Sequence, residues 1–162
     1  MSLATVAQEA GTTRQALYRR WPTKGALAAA AIATAADLGA AVASENPYAD
    51  LVAELADFQR GVSRPGRMSL VGTMLQDSTA PDLRRSYRAR VVAPRRRRIR
   101  AIFDRARQLG LIDHAADLEV AVTMCTGSWY ARVLAGSSPP PHWPERTAAL
   151  VWRAVDGIPV SR

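Results

Sequence analysis

The sequence predicts an all-α protein, and three observations carry that reading. Apolar residues recur at helical spacing, as in Leu51, Leu55, Phe58 and Val62 at i, i+4, i+7 and i+11. Alternating Val/Ile/Thr blocks bounded by hairpin turns are absent. Glycine, proline and capping residues cut the chain into segments of helix length. With 162 residues, 48% hydrophobic and 22% charged, the chain can bury a core of its own. The single Cys125 excludes an internal disulfide and suits a reducing compartment. No apolar run approaches the roughly 18 residues of a membrane span, and no secretion signal is evident, so a cytoplasmic protein is expected. The net charge is +8, and Lys24 is the only lysine. Such a surplus suits a polyanionic partner, although arginine bias also follows from a GC-rich genome.

In chain order, Ser2 is a candidate cap for a first helix, in which Leu3, Val6, Ala7 and Ala10 share one face. Gly11 can take the positive φ that closes a helix. Thr13 can cap the next one by accepting from its first free N–H groups. Pro22 stops this short helix, because the residue before a proline avoids helical geometry. Thr23 then caps a long, alanine-rich helix reaching about Ala43, with Leu27, Ala31, Leu38 and Val42 along one stripe. Two helices joined by a tight, glycine-containing turn make a helix-turn-helix unit, whose second helix can enter a DNA major groove. Ala16, Leu17 and Trp21 are expected to face inward, leaving Arg14, Gln15, Tyr18 and Arg19 outside.

The run Ala10-Gly11-Thr12-Thr13-Arg14-Gln15-Ala16-Leu17-Tyr18-Arg19-Arg20-Trp21-Pro22-Thr23-Lys24 resembles the signature of TetR-type transcriptional regulators. Ala10, Gly11, Leu17, Tyr18, Pro22 and Lys24 stand at its spacings, Thr13 and Thr23 replace serine, and Trp21 replaces another aromatic. The resemblance implies that Tyr18 and Lys24 contact phosphates, with Thr12, Thr13 and Arg19 as further backbone contacts. Gln15 can read adenine through its amide, and Arg14 a guanine or a phosphate. The family's usual basic arm and first helix do not precede Ser2, so the unit reads as truncated. This leaves an alternative function: a dimeric ligand-binding or interaction protein without specific DNA binding.

Ser44-Glu45-Asn46-Pro47 is a turn cluster and sets the expected domain boundary, 1–43 for DNA binding and linkage, 44–162 for ligand binding and dimerisation. An amphipathic helix ends near Val62, and a short apolar one spans Met68 to Gln76. A long helix from about Asp82 to Leu109 follows, closed by Gly110, and Pro94 should kink it. Its arginines, Arg84, Arg85, Arg88, Arg90 and Arg95 to Arg98, read either as a solvated helix face or as a second DNA site. Asp117 caps a helix to about Ala135 with two apolar faces: Leu118, Val122, Cys125, Trp129 and Val133 on one, Val120, Met124, Ala131 and Leu134 on the other. The last helix, from Trp143 to about Gly157, has Ala148, Trp152 and Val155 on one face and Leu150, Val151 and Ala154 on another. Helices apolar on two sides are buried on two sides, which predicts a symmetric dimer. The first set on each helix is assigned to that interface.

The family resemblance also implies a pocket for a small-molecule effector among the central helices. Phe58, Met68, Leu70, Met74, Tyr87, Phe103, Met124 and Trp129 are its candidate lining, with ordinary core packing as the competing reading. His114, His142 and Cys125 are isolated, so no metal site is expected. No Walker A, Rossmann or nucleophile-elbow motif occurs, so neither an enzyme nor a cofactor is expected. The expected partners are a double-stranded DNA operator, a small-molecule effector and a second copy of the chain, with no membrane. A repressor released from a palindromic operator by its effector is the function expected.

Overall fold

The computed structural model describes residues 3–36, 43–64, 68, 71–72, 74 and 81–157, with backbone alone at 3, 24, 35 and 36. Helices α1 (Leu3–Glu9), α2 (Arg14–Arg20) and α3 (Lys24–Ala36) precede α4 (Pro47–Val62). After them come α5 (Pro81–Tyr87), a π-helical turn (Arg88–Val92), α6 (Ala93–Gln108), α7 (Leu118–Leu134) and α8 (Trp143–Ala154). Met68, Val71, Gly72 and Met74 are helical as well, and no strand occurs among the described residues. Ser2 and the stretch expected to carry the third helix from residue 37 to 42 lie outside the described residues.

Side-chain caps fix where several helices begin. Thr13 Oγ1 accepts from the Ala16 amide at 3.1 Å, and Thr23 Oγ1 from the Ala26 amide at 3.1 Å. Asn46 Oδ1 accepts from the Ala49 amide at 3.1 Å, ahead of Pro47 in the first turn. Asp117 Oδ1 accepts from the amides of Glu119 and Val120 at 3.0 and 3.1 Å. Each oxygen satisfies an amide that the first helical turn leaves without a partner. At the other end of α6, Gly110 takes φ 67°, and Leu111 N–H donates back to the Ala106 carbonyl at 2.9 Å. That left-handed residue ends the helix as the sequence predicts.

Pro94 leaves its mark on the backbone hydrogen bonding. Its ring opposes the Arg90 carbonyl and offers it no N–H. The backbone just before the proline forms a π turn at Arg88–Val92, and α6 starts at Ala93.

Packing divides the chain into two units whose limits cross the boundary expected at residue 43. One comprises Met1–Asp37 with Val71–Val92, the other Leu38–Leu70 with Ala93–Arg162. In the first, α1 packs on α2, while α5 and the π turn pack on α3. Ala7, Leu17, Ile32 and Met74 are its buried apolar side chains.

In the second unit, α4 packs against α6 and α8, and α7 against α6 and α8. Leu51, Leu55, Ile99 and Phe103 are fully enclosed, each worth about 1.5–3 kcal/mol of transfer free energy. Phe58 lies edge-on to Trp129 and Tyr130, at ring-centroid distances of 6.1 and 5.6 Å, and tilted to Trp143 at 5.7 Å. Charge also ties the helices. Glu54, only 4% exposed, accepts from Arg95 Nη1 at 2.9 Å and from Arg98 Nε and Nη2 at 3.0 and 2.9 Å. Arg95 also reaches Asp57 at 3.1 Å and lies over the Phe58 ring. Asp50 accepts from the amide and hydroxyl of Ser44 and pairs with Arg105. Burial alone would raise the Asp50 carboxyl, but these hydrogen bonds outweigh it and hold it below the ordinary value.

Candidate nucleic-acid interface

The α1–turn–α2 segment is built by its sequence from the backbone outward. Gly11 stands at φ 61°, and the Thr12 amide donates to the Ala7 carbonyl at 2.9 Å, which closes α1 and turns the chain. Thr13 adopts extended geometry (φ −83°, ψ 147°) and starts α2. At its far end the Trp21 amide donates to the Leu17 carbonyl at 2.8 Å. Leu17 is the buried anchor of α2, with Ala16 and Trp21 half-buried beside it, as the inward face requires.

The opposite side of α2 is open. Thr12, Thr13, Arg14, Gln15 and Arg19 are exposed, and Tyr18 is 38% exposed. Arg14 lies over the Tyr18 ring at 5.4 Å, a cation–π contact that holds the guanidinium near the tip of the helix. Arg20 stacks on Trp21 at 5.1 Å. The Thr13 hydroxyl caps α2 and is therefore engaged as an acceptor, although its proton remains free to donate. Lys24 opens α3, and its side chain lies outside the described part. One short helix thus brings together a forked cation, an amide and a phenol on one solvent-facing surface.

Residues 1–31 match the family described as bacterial regulatory proteins, tetR family. Residues 44–151 match the family described as tetracyclin repressor-like, C-terminal domain.

The chain belongs to the TetR family.

This TetR-family chain is similar to a crystal structure of the TetR family transcription regulator SCO0332. The two share 28% identity and a TM-score of 0.64 over 98% of this chain and 87% of the other. A second likeness is to the TetR family transcriptional regulator PfmR from Thermus thermophilus, at 21% identity. It covers 99% of this chain and 90% of that one, with a TM-score of 0.63, and bears on the fold. No match is found among curated proteins. The chain is thus a TetR-family transcription regulator, with a helix-turn-helix ahead of a helical body.

The residues assigned from sequence to a dimer interface need correction. Leu118, Val122, Cys125 and Trp129 of α7, with Ala148, Trp152 and Val155 of α8 and its end, are buried in the core of the second unit, and Val133 is half-buried against it. All of them but Val133 are enclosed by their own unit and leave almost no surface for another chain. Burial also pushes the Cys125 thiol up to about 12, the behaviour of a core residue and not of a nucleophile. It is the other apolar face that is open: Val120 (53%), Met124 (43%), Leu134 (79%) and Leu150 (59%) are exposed. Val120, Met124, Gly127, Ala131 and Leu150 line an open groove of about 520 Å³ between α7 and α8.

The candidate effector residues are likewise divided. Phe58, Phe103 and Trp129 are core residues of the second unit. Met124 lies on its exposed face, not among them. Met74 is buried in the first unit, where the half-buried Tyr87 also belongs, and Met68 is half-buried. Leu70 lies outside the described residues. Within the Phe58 cluster, Trp129 Nε1 is buried without a hydrogen-bond partner among the described residues, a feature that sequence could not reveal. Among the described residues no cluster of His, Cys, Asp or Glu could hold a metal ion. No described helix is long and apolar enough to cross a membrane.

Proposed function

We propose that this chain is a cytoplasmic, non-enzymatic, effector-responsive repressor that binds a palindromic operator as a homodimer. The observation that carries the reading is the open face of α2, where Arg14, Gln15, Tyr18 and Arg19 project from a helix fixed by its Thr13 cap and Leu17 anchor. Side chains at the start of a recognition helix reach deepest into the major groove. Gln15 supplies a bidentate amide for adenine, and Arg14 a fork for guanine or phosphate. Tyr18, Thr12, Thr13, Arg19 and Lys24 serve the backbone, which sets register without reading sequence.

Residues 1–43 supply reading and linkage in this scheme, and 44–162 sensing and dimerisation. Two copies associate through the open faces of α7 and α8, whose exposed apolar side chains favour burial. The effector enters the second unit near the Phe58 cluster and carries an acceptor for the Trp129 indole N–H. Its binding shifts α3 and alters the spacing of the two recognition helices, so the half-sites are no longer met together.

The test is binding to duplex DNA from upstream of the chain's own gene, at physiological salt with competitor DNA. Gln15→Ala should relax preference at one operator position by about 1–3 kcal/mol. If the base preferences of Gln15→Ala equal those of the unaltered chain, the base-reading role is wrong. Weak binding by the unaltered chain that ignores sequence would favour the dimeric ligand-binding protein instead.

A further inference from the structure

The long arginine-rich stretch from Arg84 to Arg98 divides, on packing, into two parts with opposite electrostatic circumstances. Its C-terminal part belongs to the second unit, where Arg95, Arg96 and Arg98 meet carboxylates while Arg97 is exposed without one among the described residues. Arg95 and Arg98 hold the buried Glu54, and Arg96 pairs with Glu119. Farther along α6, Arg100 meets Asp104 at 3.0 Å and Arg105 meets Asp50. The N-terminal part belongs to the same unit as α1, α2 and α3. In that unit Glu9 and Asp82 are the only acidic residues among those described, and Asp82 is engaged by Arg85. Arg88 and Arg90 are exposed on the π turn and Arg84 is half-buried, and none of the three has a carboxylate partner among the described residues.

We propose that Arg88 and Arg90, with Arg84 behind them, form a second phosphate-binding surface that holds the DNA backbone beside the recognition helix. Arg84 and Arg88 stand at i and i+4, where like charges repel unless an anion lies between them. α5 and the π turn pack directly on α3, so these arginines are carried by the reading unit itself. Cations carried on the unit that also carries Arg14 and Arg19 add to the positive field a bound duplex meets. Guanidinium groups on phosphates add affinity without reading bases.

The inference rests on the DNA-binding reading above, and the experiment separates the two. Affinity for the upstream duplex and for a random-sequence duplex of equal length is measured between about 50 and 200 mM salt. The chains are the unaltered protein, R88A/R90A, R88Q/R90Q, R88K/R90K, and R64A/R97A, which removes two exposed arginines of the other unit. The expected result is a salt slope shallower by about 1.8 per protomer in R88A/R90A and R88Q/R90Q, at about 0.9 per phosphate contact. A four-fold rise in salt then costs those variants about 12-fold less affinity per protomer, or about 150-fold less for a bound dimer, than it costs the unaltered chain. R88K/R90K should keep the slope, R64A/R97A should keep it too, and the ratio between the two duplexes should not move. An unchanged slope in R88Q/R90Q, or an equal change in R64A/R97A, overturns the surface. Loss of preference between the duplexes in the unaltered chain overturns specific reading alone, because the slopes still report this surface. No binding to either duplex overturns both.

Discussion

At the scale of single residues, the second unit depends on charges that have been taken out of water in pairs. Glu54 is 4% exposed and answers two arginines at once, which keeps Arg98 firmly charged through its hydrogen bonds. Glu54→Ala would leave Arg95 and Arg98 partly buried without their main partner. Removing one side of a buried pair costs about 3–5 kcal/mol, and Arg95 retains Asp57, so a loss near the lower end is expected in urea unfolding. A loss under about 0.5 kcal/mol, in the range of an exposed pair, would mean that the network is only superficial. Asp50 makes a related point through pH. Its carboxyl is lowered in the folded chain from 3.8, because hydrogen bonds from Ser44 and Arg105 outweigh the effect of burial. A lowered folded value favours the native state wherever the unfolded carboxyl is ionised. The stability difference between the unaltered chain and Asp50→Asn should therefore be constant well above pH 3.8. It should shrink as pH falls through the lower folded value. A gap that persists at the acid end would show that the charge of Asp50 is not what counts.

Elements are where the sequence was most readable, and also where it misled. Thr13 acts through one geometric feature, the 3.1 Å hydrogen bond that begins a helix of only seven residues. So short a helix has little stability of its own. Thr13→Ala should cost about 1 kcal/mol locally, seen as faster hydrogen exchange in α2 and not in α7; equal exchange would remove the cap from the account. Caps and breakers of this kind act within one turn, so Gly11, Thr13, Thr23, Gly110 and Asp117 could be assigned from sequence and stand as assigned. The faces of α7 could not. Both its apolar stripes satisfy helical spacing, and only the presence of α4 and α6 on one side decides that Cys125 and Trp129 go inward while Val120 and Met124 stay out. The partner of α3 was equally hidden, since the segment packed on it lies far along the chain, in the stretch that begins at Val71. Pro94 signalled a break in hydrogen bonding, but a kink and a π turn both answer that signal.

For the whole molecule, the question is how a seven-residue reading helix could select one site in a genome. On the proposed reading one α2 reaches only a few base pairs, and each good bidentate contact discriminates by about 1–3 kcal/mol. Two copies held at fixed spacing make the second contact effectively intramolecular, which raises avidity by about 10²–10⁴. The proposed dimer face is therefore a condition for operator recognition, and it can be removed without touching the core. Met124 and Leu150 are 43% and 59% exposed and line the same groove. Glutamates there would meet their own copies across a two-fold axis, where like charges buried together are strongly unfavourable. Met124→Glu with Leu150→Glu should give a monomer by light scattering at micromolar concentration, with the helical signal of the unaltered chain. Operator affinity should fall by about 10²-fold or more, while binding to an isolated half-site stays within a few-fold. A double variant that remains dimeric would place the interface elsewhere. One that becomes monomeric yet keeps full operator affinity would show that paired recognition helices are not how this chain selects its site.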